Sequence, residues 1–276
     1  MAAVLAELTN AEFQRRLQRL KNGVLRTSWH QADYALTRLA QYNCCFVDGG
    51  PTPKWVLIGG FAIRHCYGGT RFSRDVDLSF DSEMYVNGPP NDDPILPAGF
   101  RVDEAGSQRQ PSGPVSHLLL RYVRPWGRGS VWLHINHGRP IKRPPAEIRD
   151  FSSPFVDATF KVAIASIHEI IADKIDGLVA SMNDDQPRAK DMWDLNHLFD
   201  LDVSFDRITV ISLLPRRPGG TISKIPVVLK LESYKQAWDQ NLRDLVDDLE
   251  PFDRARERLL SHLRRHFPPP KKQQRA

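Results

Sequence analysis

Apolar positions recur three or four residues apart at both ends of the 276-residue chain and two apart through much of its middle. Leu8, Phe13, Leu17, Leu20 and Val24 set a helical step, so residues 8–45 read as helical, with Asn10 as a candidate first cap. The turn "GGPTPK" (49–54) leads into a short buried strand, "WVLI" (55–58), and paired glycines then open a helix over 60–67. "DVDLSF" (75–80) alternates as a strand does, and 86–99 is loop. "VSHLLLRYVRP" and "SVWLHINHG" read as two strands joined through "WGRG", a hairpin pattern. "KRPPAE" (142–147) is a linker, and "ATFKVAIAS" is another strand. Helices follow at 167–182, with Ser166 as cap, and at 190–201 after the loop "NDDQPRAK". Beyond the poorly patterned "PRRPGG" stretch a helical region spans 231–265, and the tail "FPPPKKQQRA" reads as disordered. Helices, a strand-rich centre, then helices describe an α+β chain. Its domains are 1–160, helices plus the strand-rich core, and 161–276, a mainly helical lobe with a basic tail.

The strand at 75–80 poses a chemical problem. Period two puts Val76, Leu78 and Phe80 on one face, and Asp75, Asp77 and Ser79 on the other. Two carboxylates side by side repel unless water or a cation lies between them. A helix that starts at glycines lets backbone N–H groups approach a phosphate. A carboxylate pair on the next strand suits Mg²⁺, and metal-assisted phosphoryl displacement needs both features. Arg71 and Ser73 stand just before the pair, within reach of phosphate oxygens.

The helix at 167–182 carries a second anomaly. Ile167, Ile171, Leu178 and Met182 form its apolar stripe, and Lys174 lies inside it. An inward lysine either snorkels to the surface or meets an anion. On the next helix, Asp191 lies four residues before Leu195 and seven before Leu198, so it also points inward. The two are expected to pair or to serve one site.

Composition narrows the classes. With 41% hydrophobic and 26% charged residues the chain is globular, and no apolar run reaches eighteen residues, so no membrane helix is expected. "MAAVLAELTNAEF" lacks the basic and apolar regions of a secretory signal, and three cysteines without Cys-x-x-Cys spacing argue against a disulfide framework. Both point to a cytoplasmic protein. The net charge of +5 gathers at the ends, in Arg15, Arg16, Arg19, Lys21 and Arg26, and again in Arg254, Arg256, Arg258, Arg264, Arg265, Lys271, Lys272 and Arg275. Such clusters attract a polyanion such as RNA.

Two stretches resemble a known family. "LIGGFAIRHCYGGTRFSRDVDLSF" is similar to the first signature of the AbiEii/AbiGii-type nucleotidyltransferase toxins, a branch of the polymerase-beta-like superfamily. "IHEIIADKIDGLV…RAKDMWDLNHL" is similar to the second. The resemblance covers half of the chain and implies a polymerase-beta-like core that transfers a nucleoside monophosphate from an NTP. Asp75 and Asp77 would hold Mg²⁺, and Gly59 and Gly60 would cradle the triphosphate beside Arg71 and Ser73. Lys174 would contact phosphate or pyrophosphate, and Asp191 would position the lysine or help activate the attacking hydroxyl. It also implies a cognate antitoxin and a role in a toxin–antitoxin or phage-defence system, with RNA such as the tRNA acceptor end as acceptor. One departure stands out: where such enzymes add a third carboxylate from a neighbouring strand, "VWLHINHG" offers only Trp132, His134 and Asn136. A small-molecule acceptor, or a non-catalytic nucleotide- or RNA-binding module, are the alternatives; labelled transfer products separate them.

Overall fold

The computed structural model describes residues 7–20, 26–48, 50, 53–83, 93–108, 115–181, 186–201, 204–214 and 218–268. Expectations for Lys21, Val24, Met182, residues 86–92 of the 86–99 loop and the tail with Lys271, Lys272 and Arg275 lie outside the described residues. In chain order the elements are α1 (Asn10–Leu20), α2 (Thr27–Cys44), β1 (Cys45–Phe46), β2 (Val56–Ile58), α3 (Gly59–Cys66), β3 (Asp75–Ser79), β4 (Phe100–Val102), β5 (Val115–Arg124), β6 (Gly127–Asn136), β7 (Glu147–Phe151), β8 (Phe160–Ile164), α4 (Ile167–Ala180), α5 (Ala189–Asp200), α6 (Arg207–Leu213), α7 (Pro218–Val228), α8 (Glu232–Leu242) and α9 (Phe252–His266). The fold is α+β, as the sequence pattern implies. It divides into two compact units, 1–166 with 245–247, and 167–244 with 248–276, so β8 stays with the sheet in which it pairs.

The first unit is built on an eight-stranded mixed sheet, ordered β1-β8-β2-β3-β6-β5-β4, with β7 also on β8. β5 and β6 form the expected hairpin, ten residues a side, from Val115↔Asn136 to Arg124↔Gly127. β3 runs antiparallel to β2 and parallel to β6, skipping the two intervening strands. Directly opposed residues share a face, so the register fixes two contrasting faces. Val76 and Leu78 line up with Leu133 and Ile135, and Leu118 extends the row; all are buried. α2 packs on β6, β8, β2 and β3. A fully buried side chain of this size contributes about 1.5–3 kcal/mol, so the apolar face fixes the orientation of β3. Asp75, Asp77, Trp132, His134, His117 and Leu119 occupy the other, half-exposed face.

The sequence expectations hold for these strands and need correction at the start of the chain. The 8–45 region is two helices. Phe13 and Leu17 are buried in α1, whereas Leu20 is an exposed residue. Thr9, not Asn10, caps α1: the Glu12 N–H donates to Thr9 Oγ1 (3.3 Å), and the Thr9 N–H donates to the Glu12 carboxylate (2.8 Å). This reciprocal capping box satisfies two donors at once, which Asn10 cannot match from inside the first turn.

The second unit is helical. Ile171, Ile175, Leu178, Leu195, Tyr234, Trp238 and Leu259 form its core. The expected 231–265 helix is two helices, α8 and α9, with Pro251 heading the second. α6 and α7 occupy the stretch without clear period, and α7 tolerates Pro226 within it.

Candidate active site

The turn from β2 into α3 brings backbone and carboxylate close together. Ile58 pairs with Asp77 across the antiparallel ladder, which brings the Asp77 side chain over the next residue, Gly59. Gly59 has φ +77°, and a β-carbon built there would lie 2.1 Å from Asp77 Oδ2. Only glycine permits both the backbone angle and the carboxylate. Gly60 follows, buried in the first turn of α3. The two glycines thus start a helix against a carboxylate, as the sequence implied.

Asp75 and Asp77 project from the same half-exposed face of β3. Each has a neighbour that accounts for its orientation. The Ser73 hydroxyl, almost fully buried, donates to Asp75 Oδ1 at 2.5 Å. His134, opposite Asp77 in the parallel register, places Nδ1 2.9 Å from Asp77 Oδ1. The Asp77 and His134 side chains are 28% and 25% exposed, open enough for a ligand to reach them. His117 continues the row on β5, its ring edge-on to His134 at 4.6 Å. Burial, then the neighbouring His134, hold the His117 imidazole below its usual range, so this ring is neutral at pH 7. His134, which stands where the family resemblance calls for a third carboxylate, is therefore a partner of Asp77. His137 bonds instead to Ser116 Oγ at 3.2 Å.

Arg71 behaves differently from the other expected phosphate ligands. It is buried, and its Nη1 donates to the Phe72 carbonyl at 3.0 Å. The Phe72 N–H donates to the Leu245 carbonyl, which ties the 67–74 loop down just before β3. Asp33 secures α3 from behind: its buried carboxylate takes Arg64 Nε at 2.9 Å and lies 3.2 Å from His65 Nε2. Burial alone would raise the Asp33 pKa. The charges of Arg64 and His65 and their hydrogen bonds outweigh it and hold the carboxyl at about 2.

The residues fit a divalent ion carried by a nucleotide. Mg²⁺ is commonly held by one or two carboxylates together with substrate phosphates, and Asp75 and Asp77 would supply the carboxylates beside the Gly59–Gly60 turn. Among the described residues no group of three or more His, Cys, Asp or Glu side chains forms a ready-made metal cage. Thiol chemistry finds no support: Cys44 is buried, and burial pushes the Cys66 thiol up to about 12.

In the helical unit, Lys174 and Asp191 meet as the sequence predicted, with Nζ 2.7 Å from Oδ1. Asp194 joins them at 2.8 Å, and Arg188 Nε reaches the other Asp191 oxygen at 2.8 Å. Gly177 makes room, since a β-carbon there would lie 2.6 Å from Asp191 Oδ2. Asp194 was missed, although it stands four residues before Leu198 just as Asp191 stands four before Leu195.

Comparison with known proteins bears on the fold and the family. No curated protein matches the chain. Among solved structures the fold is similar to JHP933 from Helicobacter pylori, with TM-score 0.56 and 16% identity over 88% of this chain and 93% of that one. It is also similar to a candidate nucleotidyltransferase from H. pylori, with TM-score 0.55 and 17% identity over 88% of this chain and 96% of that one. At such identities the likeness is one of fold. The family model for the nucleotidyl transferase AbiEii toxin of type IV toxin–antitoxin systems matches residues 43–258, more than half of the chain, and the protein belongs to that family as a nucleotidyltransferase.

Proposed function

We propose that the chain transfers a nucleoside monophosphate from an NTP, with Mg²⁺, to an RNA acceptor such as the acceptor end of tRNA, and that a cognate antitoxin restrains it in the cell. The observation that carries the reading is the Asp75–Asp77 pair on the half-exposed face of β3, with Asp77 closed against Gly59. The reaction needs an acceptor hydroxyl to attack the α-phosphorus while the α–β bridge breaks and pyrophosphate departs. Gly59 and Gly60 open the N-terminus of α3 to phosphate oxygens, where N–H groups and the helix dipole favour anions. Ser73 and His134 hold the two carboxylates in place. Asp75 and Asp77 would hold the divalent ion, whose chemistry there would be neutralisation of phosphate charge.

Arg71 serves the triphosphate in this reading by fixing the loop that ends at Ser73. Lys174 and Asp191 belong to the same proposal as groups needed for transfer. Their test is activity per folded molecule: if loss of activity in Lys174→Ala merely tracks the folded fraction, their role is structural.

RNA as acceptor draws support from charge placement. Arg15, Arg16 and Arg19 line a depression of about 400 Å³ together with Glu12, Leu20, Pro154 and Asp157, and Arg16 pairs with Asp157. α9 buries Phe252, Ala255, Leu259 and Leu263 and exposes Arg254, Arg264 and Arg265. No described helix is long and apolar enough to cross a membrane. Incubating the protein with total RNA, Mg²⁺ and each α-labelled NTP tests the proposal. Label in RNA from a preferred NTP is expected. Label only in small molecules would overturn the RNA acceptor, and no label in any fraction would overturn the transfer reading.

A further inference from the structure

Asp77 is held asymmetrically. Its Oδ1 meets His134 Nδ1 at 2.9 Å, while its Oδ2 lies toward Gly59. An ionised carboxylate can only accept, so the hydrogen belongs to Nδ1, which donates. The contact is fixed by the backbone, because Asp77 and His134 are direct partners in the β3–β6 ladder. The ring is confined as well, with His117 edge-on at 4.6 Å and Trp132 tilted at 6.3 Å. The row Asp77–His134–His117 therefore presents one carboxylate followed by two imidazoles across three strands. Among the described residues no group of three or more His, Cys, Asp or Glu side chains forms a cage.

We propose that His134 is a positioning residue for Asp77, and that an imidazole at this place in the row, where a third carboxylate would otherwise stand, makes divalent-ion binding conditional on nucleotide. The inference rests on the transfer reading above. The imidazole holds Oδ1 and so leaves Oδ2 beside Gly59, at the start of α3. With two carboxylates, the protein alone is a weak host for the ion, and the nucleotide phosphates supply the missing oxygens. Linkage then requires that the ion tighten nucleotide binding by the same factor.

The test follows Mn²⁺ by the loss of its free-ion spin-resonance signal. The full chain is titrated with and without the α,β-methylene analogue of whichever NTP is transferred, and the Mn²⁺ that the analogue binds by itself, measured in a protein-free blank, is subtracted. In the wild type, the analogue is expected to tighten Mn²⁺ binding by about tenfold or more. His134→Asp adds a third carboxylate and should bind Mn²⁺ about tenfold more tightly without nucleotide, with the coupling reduced. His134→Asn keeps an N–H donor near the Nδ1 position and should retain coupling. His134→Ala should lose about tenfold in kcat and in coupling, with an unchanged melting temperature. If His134→Ala unfolds, the Asn and Asp pair still decides. Equal Mn²⁺ affinity with and without the analogue in the wild type, or wild-type coupling in His134→Ala or His134→Asp, overturns the inference even where label transfer persists. Absence of transfer in the wild type instead removes the reading beneath it.

Discussion

The two charged clusters of this protein are opposites. On the sheet face, Asp75 and Asp77 are like charges, half-exposed, each steadied by a neighbouring hydrogen-bond donor. In the helical unit, Lys174 and Arg188 face Asp191 and Asp194, two cations against two anions, and Lys174 and both aspartates are buried. The second cluster is balanced by the chain itself. The first places two carboxylates on one half-exposed strand face. Like charges kept together at a wet surface carry a functional reading, whereas a compensated buried cluster weighs first on stability: removing one partner strands the others in a medium where a lone charge is costly.

That contrast can be broken at several points. Asp75→Asn or Asp77→Asn should lower transfer by about 10⁴-fold, equivalent to about 5 kcal/mol, because metal-assisted charge stabilisation disappears. The melting temperature should hold or rise as repulsion is relieved; a kinetic assay paired with a thermal scan checks both. Lys174→Met takes the ammonium from two buried carboxylates and should cost about 3–5 kcal/mol, read from the urea midpoint. Asp33 gives a pH dependence. Its folded carboxyl sits at about 2 against an ordinary 3.8, so the folded state favours the ionised form. The contribution, about 2 kcal/mol, is present above pH 4 and is lost as the pH falls from there toward 2. Urea titrations at pH 5 and pH 3 should show the drop, and Asp33→Asn should flatten it. The smallest change, Gly59→Ala, sets a β-carbon against Asp77 Oδ2 at a φ that disfavours it. A cost of about 1–2 kcal/mol and a higher KM for NTP are expected.

How much could be read in advance differs by region for physical reasons. β3 was legible because Val76 and Leu78 need burial and period two then places both aspartates outward. Lys174 and Asp191 were legible because helical spacing puts them on apolar stripes, and the same spacing would have found Asp194. The short strands β1, β4 and β7 escaped: two to five residues give too few alternations, and β7 carries an exposed Ile148. The break between α8 and α9 was hidden because both flanking segments keep helical spacing. The His134–Asp77 bond could not be read locally. It depends on β6 lying beside β3, a pairing set by topology across some fifty residues of chain.

The most direct test of the central claim follows the fate of two labels in parallel, one on the α-phosphorus and one on the γ-phosphorus of the NTP. If Asp75 and Asp77 form the centre of nucleotidyl transfer, the wild type moves the α label into the acceptor and releases the γ label as pyrophosphate at the same rate. A folded Asp77→Asn variant should do neither above background. Incorporation of the γ label, or wild-type transfer by Asp77→Asn at saturating Mg²⁺, would contradict the account.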